Sequence, residues 1–371
     1  MRESLDTFPV TVLTGSLGSG KTTVLNHLVR QPGLHRTLVL INEFGEIGLD
    51  HDLVTRGSED AVFVEMASGC LCCTIRGDLV RTLQQAPGRF ARDGRPWFDR
   101  VLIETTGLAD PAPILHTLMS EPRVARQYEL DGVVTVVDAV NGLETLERHP
   151  ESVKQVAMAD RLLLSKTDLI DGEMQVALTA RLGALNPGAA IELVVHGAVS
   201  PQRVLKLGLY DPHSKSVDVQ RWLQAEAFED ANDHPHHDHD PHNHGHDVNR
   251  HGEDIHAFCV TREEPLPLEA LEACLDTLSA TLGANLLRVK GLLNVAGYQR
   301  PVVIHGVQHF MHAVDVLDHW PSDDRRTRIV FITQGIERRS IEDLLSAFTG
   351  NASSGAMRHP VATRAGGEGA G

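Results

Sequence analysis

The sequence predicts an α/β fold: a mainly parallel sheet covered by helices, followed by a smaller α+β domain. Three observations carry that expectation. Over the first two hundred residues, apolar β-branched runs alternate with amphipathic stretches. A glycine-rich loop, Gly15–Thr22, sits between the first apolar run and a helical stretch. From Glu229 to Asp254 the composition changes sharply, with eight Asp/Glu and a single basic residue, Arg250. Nothing in that stretch can build a core, so it reads as a linker between two folded units.

In chain order the expected strands are Val10–Leu13, Thr37–Ile41, Ala61–Glu65, Val101–Glu104, Gly132–Val137, Arg161–Ser165 and Ile191–Val195. Several are apolar on both faces, as buried parallel strands are. Thr22–Val29 reads as the helix after the first strand, and Asp78–Gln85 as a second helix. Order is expected to resume at Ile255 with the run His256–Val260. Leu268, Leu271, Leu275, Leu278 and Leu282 follow at helical spacing. Leu286–Val295, Pro301–Val307 and Ile329–Ile332 read as strands, and Ser340–Phe348 as a closing helix. The expected boundaries are 1–205 for the first domain, 206–254 for the linker, 255–349 for the second domain and 350–371 for a frayed tail. No internal repeat is visible.

Composition narrows the function. The chain has 371 residues, enough for two cores, and its hydrophobic share is 42%. A formal net charge of −16 argues against nucleic-acid and anionic-membrane partners, both of which need clustered Lys and Arg. No apolar run reaches the length of a membrane span, and Met1–Thr7 lacks a secretory hydrophobic region. A cytosolic location is expected. Of five cysteines, three stand within Cys70–Cys73. Neighbouring thiols are poorly placed for a relaxed disulfide, and in a reducing compartment such spacing points to metal binding or catalysis. Cys259 and Cys274 lie in apolar surroundings and read as core residues.

The loop Gly15-Ser16-Leu17-Gly18-Ser19-Gly20-Lys21-Thr22 fits G-x-x-x-x-G-K-[ST] in full. Gly15, Gly18, Ser19 and Gly20 supply backbone N–H groups for phosphates, and Lys21 counters the β/γ charge. The Thr22 hydroxyl can ligate Mg²⁺, and Thr23 continues the helix start. Ile103-Glu104-Thr105-Thr106-Gly107 ends an apolar strand with a carboxylate and then a glycine. Glu104 can hold Mg²⁺ through water or position the attacking water, and the Gly107 N–H can sense a γ-phosphate. Lys21, Thr22, Glu104 and Gly107 are therefore the catalytic candidates. Ser165-Lys166-Thr167-Asp168 follows another apolar strand, where GTPases carry N-K-x-D. Asp168 would read the guanine edge and the Lys166 stem would cover the ring. A hydroxyl at Ser165 replaces only part of an amide's bonding, which leaves guanine preference less secure.

Cysteine thiolates suit Zn²⁺ and Cu⁺, and zinc usually takes four ligands. Cys70, Cys72 and Cys73 supply at most three, a shell better suited to a donor than to a structural site. Asn42–Asp50 carries acids around two glycines, where Glu43 or Glu46 can complete a metal shell or touch Mg²⁺. Nine histidines lie between His234 and His256, and that stretch reads as a labile collector of Zn²⁺, Ni²⁺ or Co²⁺. His27, His116, His196, His305, His309 and His312 read as structural. Solvated loop acids, inert cysteines and a plain linker are the blander readings of the same residues.

At these motifs the chain resembles the CobW-like GTPases, a family of zinc and cobalt chaperones. The resemblance rests on Gly15–Thr22, on Asn42–Asp50, on the C-x-C-C of Cys70, Cys72 and Cys73, and on Glu104–Pro111. It implies slow, metal-stimulated GTP hydrolysis and delivery of a metal to a client metalloprotein, with the cysteines and Glu43 as the metal-site candidates. The family usually has Asn at Ser165, although Thr occurs there in similar proteins. The cofactors expected are GTP, Mg²⁺ and Zn²⁺, with Co²⁺ or Ni²⁺ sharing the same ligands. A homodimer is one assembly left open. Two rival readings are a metal buffer using the His-rich segment and a P-loop kinase for a small metabolite.

Overall fold

The computed structural model describes residues 7–41, 61–65, 73–205, 207, 254–311 and 315–351. Seven parallel strands form the first sheet: β1 (Phe8–Gly15), β2 (Thr37–Ile41), β3 (Ala61–Glu65), β6 (Arg100–Glu104), β7 (Tyr128–Asp138), β8 (Arg161–Ser165) and β9 (Ala190–Val194). Their order is β3-β2-β6-β1-β7-β8-β9. A two-stranded ribbon, β4 (Ala91–Arg92) with β5 (Arg95–Pro96), projects before β6.

The strands are apolar on both sides because both sides are covered. In β2, Leu38 and Leu40 belong to one apolar layer, and Val39 and Ile41 to the other. The second layer is closed by α1 (Lys21–Leu28), whose Val24, Leu25 and Leu28 are fully buried. The first is closed by α2 (Cys73–Arg89) and α3 (Ala112–Ser120). A four-residue helix α4 (Pro122–Ala125) leads into β7. Helices α5 (Gly142–Arg148), α6 (Pro150–Ala157) and α7 (Gly172–Leu185) pack with β7 and β8 in a further cluster. Each leucine buried in this way is worth about 1.5–3 kcal/mol.

The second domain is an antiparallel sheet with helices on one face. Its strands are β10 (Ile255–Arg262), β11 (Leu286–Leu293), β12 (Val302–Val307), β13 (Phe310–Met311), β14 (Asp315–Val316) and β15 (Thr327–Gln334), in the order β10-β15-β11-β12-β13, with β14 also on β12. Two helices, α8 (Leu268–Leu282) and α9 (Arg338–Asn351), complete it. Side chains alternate across a strand, and here the alternation separates two interfaces. Phe258, Val260, Ile329 and Phe331 join the domain's own helices. Ala257, Cys259, Val330 and Ile332 join the apolar cluster that holds Val10, Leu83 and Leu115 of the first domain. Cys259 and Cys274 are both buried, as expected of core residues.

One polar contact fastens this junction. Asp160, just before β8, accepts from Arg288 Nη2 and, at 2.7 Å, from Lys290 Nζ, both on β11. Its second oxygen accepts the Val133 N–H at 2.9 Å. Burial alone would push the carboxyl up, but the two cations hold it well below the ordinary carboxylate range.

Candidate nucleotide-binding site

The glycine-rich loop leaves the carboxyl end of β1, where strand order reverses between β6 and β7, the usual place for ligands in a doubly covered sheet. At Gly15 a Cβ would lie 2.2 Å from the Val136 carbonyl oxygen, so no other residue fits. Gly18 and Gly20 take φ of 74° and 94°, the left-handed region that glycine enters without strain. The first helical bond of α1 runs from Val24 N to Gly20 O at 3.0 Å. The N–H groups of Lys21, Thr22 and Thr23 therefore have no acceptor within the helix and suit an anion. Lys21 is buried, and its Nζ donates to Gly15 O at 2.9 Å and Ser16 O at 3.0 Å, curling over the loop.

Glu104 ends β6 beside this loop, and Thr22 Oγ1 donates to Glu104 Oε1 at 3.0 Å. A hydroxyl and a carboxylate side by side are the hard oxygen donors Mg²⁺ takes, so the residues fit that ion. Thr105 ties the two strand ends together, its N–H donating to Leu13 O at 3.0 Å and its hydroxyl to Thr14 Oγ1 at 2.7 Å. The turn that follows leans on the phosphate loop. A Cβ on Gly107 would lie 2.5 Å from both Leu17 N and Leu17 Cα.

The end of β8 reaches the loop from the other side. Ser165 is buried, and its Oγ donates to Ser19 O at 2.6 Å. Its hydroxyl thus fastens the loop, a role that the comparison with an asparagine side chain did not foresee. Lys166, at φ 58°, donates from Nζ to Gly18 O at 2.8 Å and to Asp138 Oδ2 at 2.7 Å. Burial opposes charge on Asp138, but hydrogen bonds from Lys166, Asn141 and the Val140 N–H hold its carboxyl below the ordinary range. Asp168 stands exposed in a short 3-10 turn, Thr167–Leu169. The structure thus gathers Gly15–Thr22, Glu104, Gly107, Ser165 and Lys166 into one connected set, with Thr23 and Asp168 at its exposed edges.

A model of the CobW/HypB/UreG nucleotide-binding domain matches residues 9–192, and one of the cobalamin synthesis protein cobW C-terminal domain matches 255–349. Zinc chaperone YjiA of Escherichia coli (strain K12) is 31% identical over 341 residues, covering 92% of this chain and 98% of that protein. The chain belongs to the CobW/HypB/UreG family. Zinc chaperone CobW of Pseudomonas aeruginosa, a relative in that family, is 32% identical over 92% of each chain. Zinc-regulated GTPase metalloprotein activator 1 of Schizosaccharomyces pombe is 33% identical over 57% of this chain and 52% of its own. The crystal structure of Zn(II)-bound YjiA GTPase from E. coli superposes with a TM-score of 0.63 at 26% identity, covering 92% of this chain and 99% of that one.

Of the metal candidates of this CobW/HypB/UreG member, Thr22 lies in that geometry, beside Glu104. Glu43, Glu46, Cys70 and Cys72 lie outside the described residues, as do His312 and the His-rich segment before Asp254; Cys73 is the first residue of α2. Among the described residues no group of three or more His, Cys, Asp or Glu is gathered as a metal site. No described helix is long and apolar enough to cross a membrane. Sequence reading missed three contributors. Asp138 ends an apolar strand as Glu104 does, a parallel that could have marked it. Gly197, at φ 76°, would put a Cβ 2.7 Å from Thr23 O and so packs the loop after β9 onto α1. Gln155, whose Nε2 donates to Ala109 O at 2.8 Å just beyond Gly107, carried no motif at all.

Proposed function

We propose that this chain is a GTP-hydrolysing zinc chaperone whose metal affinity follows its nucleotide state. The observation that carries the reading is the packing of Gly107 on the phosphate loop at Leu17, three residues past the Glu104 that pairs with Thr22. A γ-phosphate that arrives at that loop with GTP, and leaves after hydrolysis, would be felt at Gly107. Thr22 and Glu104 would hold Mg²⁺, which when bound neutralises triphosphate charge. Lys21 would leave its loop carbonyls for the β/γ oxygens, and Asp168 would select guanine.

Zn²⁺ is the cargo in this reading, taken by Cys70, Cys72 and Cys73 with Glu43 or Glu46, and Co²⁺ or Ni²⁺ suit the same ligands. The zinc chaperones among the relatives support that choice. The triphosphate form would tighten the site, and hydrolysis would release the metal to a client metalloprotein in the cytosol. By linkage, a nucleotide that raises zinc affinity is itself bound more tightly with zinc present, by the same factor.

The test is zinc affinity by competition with a chromogenic chelator, in Mg²⁺ with either GDP or a non-hydrolysable GTP analogue. Tighter binding with the analogue, weakened by Cys72→Ser while nucleotide binding survives, is the expected result. Equal affinity with both nucleotides would move a passive metal buffer to first place.

A further inference from the structure

Helix α6 belongs to none of the recognised motifs, yet it grips the turn that follows Glu104. Gln155 Nε2 donates to Ala109 O at 2.8 Å, and Lys154 Nζ lies 3.5 Å from Asp110 Oδ2. Oδ1 of the same carboxylate accepts the Ala112 N–H, at 2.9 Å, where α3 begins. Ala109 N donates to Thr106 O at 3.1 Å, so Thr106–Ala109 is one tight turn with Gly107 at its apex. Whatever fixes the Ala109 carbonyl therefore fixes Gly107.

Gln155 is well placed to do so. It is 1% exposed, and its own carbonyl accepts from Thr135 Oγ1 on β7 at 2.7 Å. Asn186 Nδ2 donates to the carbonyls of Val156, Ala157 and Ala159, which holds the carboxyl end of α6. The backbone beneath Gln155 is thus pinned on both sides. One atom is left over: Gln155 Oε1 is buried without a hydrogen-bond partner. Buried acceptors are costly to leave unsatisfied, and native structures rarely do so without a reason. The carboxamide can accept an N–H as well as donate to a carbonyl. A shifted turn that offered it a backbone N–H would satisfy both its ends.

We propose that Gln155 is a positioning residue for GTP hydrolysis: through Ala109 it sets where the Gly107 N–H stands toward the γ-phosphate. The proposal rests on the GTPase reading above. Gln155 touches neither nucleotide nor reacting atoms. Its loss would free the Ala109 carbonyl and so weigh on the triphosphate state and on turnover more than on GDP binding.

The experiment uses the full chain with Mg²⁺ and three variants: Gln155→Met, which keeps the bulk, Gln155→Glu, which sets a carboxylate against the Ala109 carbonyl, and Gln155→Asn, which keeps the amide one methylene short. Single-turnover GTP hydrolysis, fluorescent GDP and GTP-analogue affinities, and melting temperature with GDP are read together. For Gln155→Met we expect hydrolysis about tenfold slower, the scale of one lost hydrogen bond, with GDP affinity within about threefold of wild type. Gln155→Glu should be slower still, and Gln155→Asn takes the place of Met should that variant be insoluble. Wild-type hydrolysis and an unchanged analogue-to-GDP affinity ratio would overturn the proposal. So would a joint fall of both affinities and melting temperature, which marks a residue that supports the fold alone. A wild-type chain that hydrolyses no GTP overturns the GTPase reading as well, and is distinguished because it needs no substitution to be seen.

Discussion

Gly107 sits so close to Leu17 that a single added methyl would meet backbone atoms at 2.5 Å. The phosphate loop and the turn beyond Glu104 are therefore not two neighbouring features but two surfaces of one contact. Neither can move closer to the other, because the obstacle is main chain on both sides. Gly107→Ala must push the turn away from the loop. A displacement of that size costs about 10²-fold in turnover. Phosphate release from GTP should fall accordingly while GDP binding persists; undiminished turnover would show that the turn is not part of the hydrolytic machinery.

The Thr22–Glu104 pair makes a separate prediction. Thr22→Ala removes the hydroxyl that donates to Glu104 Oε1 at 3.0 Å. Nucleotide affinity in that variant should lose most of its dependence on Mg²⁺, a drop of about 1.5–3 kcal/mol in excess Mg²⁺ and little in EDTA. An isothermal titration in both buffers measures the difference. Equal losses in the two would assign Thr22 to the helix start and not to the ion.

Ser165 and Asp168 are expected to act on bound nucleotide in different ways. Ser165→Ala leaves the Ser19 carbonyl without its 2.6 Å donor, which should weaken GDP and ADP alike by about 1–2 kcal/mol. Asp168→Ala should instead cost GDP alone and bring its affinity down towards that of ADP. Competition of the two nucleotides against a fluorescent analogue separates these outcomes. A Ser165→Ala variant that changed the GDP-to-ADP ratio would return the hydroxyl to base recognition.

Asp160 makes stability depend on pH in a stated direction. Its carboxyl in the fold is held below the unfolded value of about 3.9, so its contribution is present above that pH and is lost as pH falls through the folded value. Asp160→Asn leaves Arg288 and Lys290 facing an uncharged group and should cost about 3–5 kcal/mol at neutral pH. The gap to wild type should close on acidification below about pH 4. Urea unfolding of both proteins from pH 7 to pH 2 checks this, and parallel curves would count against the ion pair.

Thiol reactivity offers a check on the cysteines. Cys259 and Cys274 are buried, and burial pushes the Cys274 thiol up to about 11, so neither is a ready nucleophile or ligand. Of the five cysteines, no more than Cys70, Cys72 and Cys73 should react with a thiol dye in the native chain. Saturating zinc should protect these three, and denaturant should expose all five. Rapid labelling of a fourth thiol would contradict the core assignment.

How far the sequence could be read depended on how local each signal was. Strands such as Thr37–Ile41, Ala61–Glu65 and Arg161–Ser165 were legible to the residue, because a strand covered on both faces is a continuous apolar run. The strand expected at Gly132–Val137 extends back to Tyr128, since Glu129 and Asp131 interrupt the apolar pattern while Thr11 Oγ1 donates to Asp131 across the sheet. The phosphate loop was legible because its chemistry lies within eight residues. The grip of Gln155 on Ala109 was not, because the two are 46 positions apart and neither belongs to a pattern. The charges of Arg288 and Lys290 on β11 carried no sequence signal either, because their partner Asp160 lies about 130 positions earlier.

The apolar cluster shared by Val10, Leu83 and Leu115 with Ala257, Cys259 and Ile332 has a practical consequence. A fragment that stopped before Ile255 would carry a bare greasy flank and a carboxylate, Asp160, stripped of both counter-ions. Such a fragment should clump, or borrow cover from other chains, and its kinetics would describe that makeshift state. The two halves of this molecule have to be made, studied and altered together.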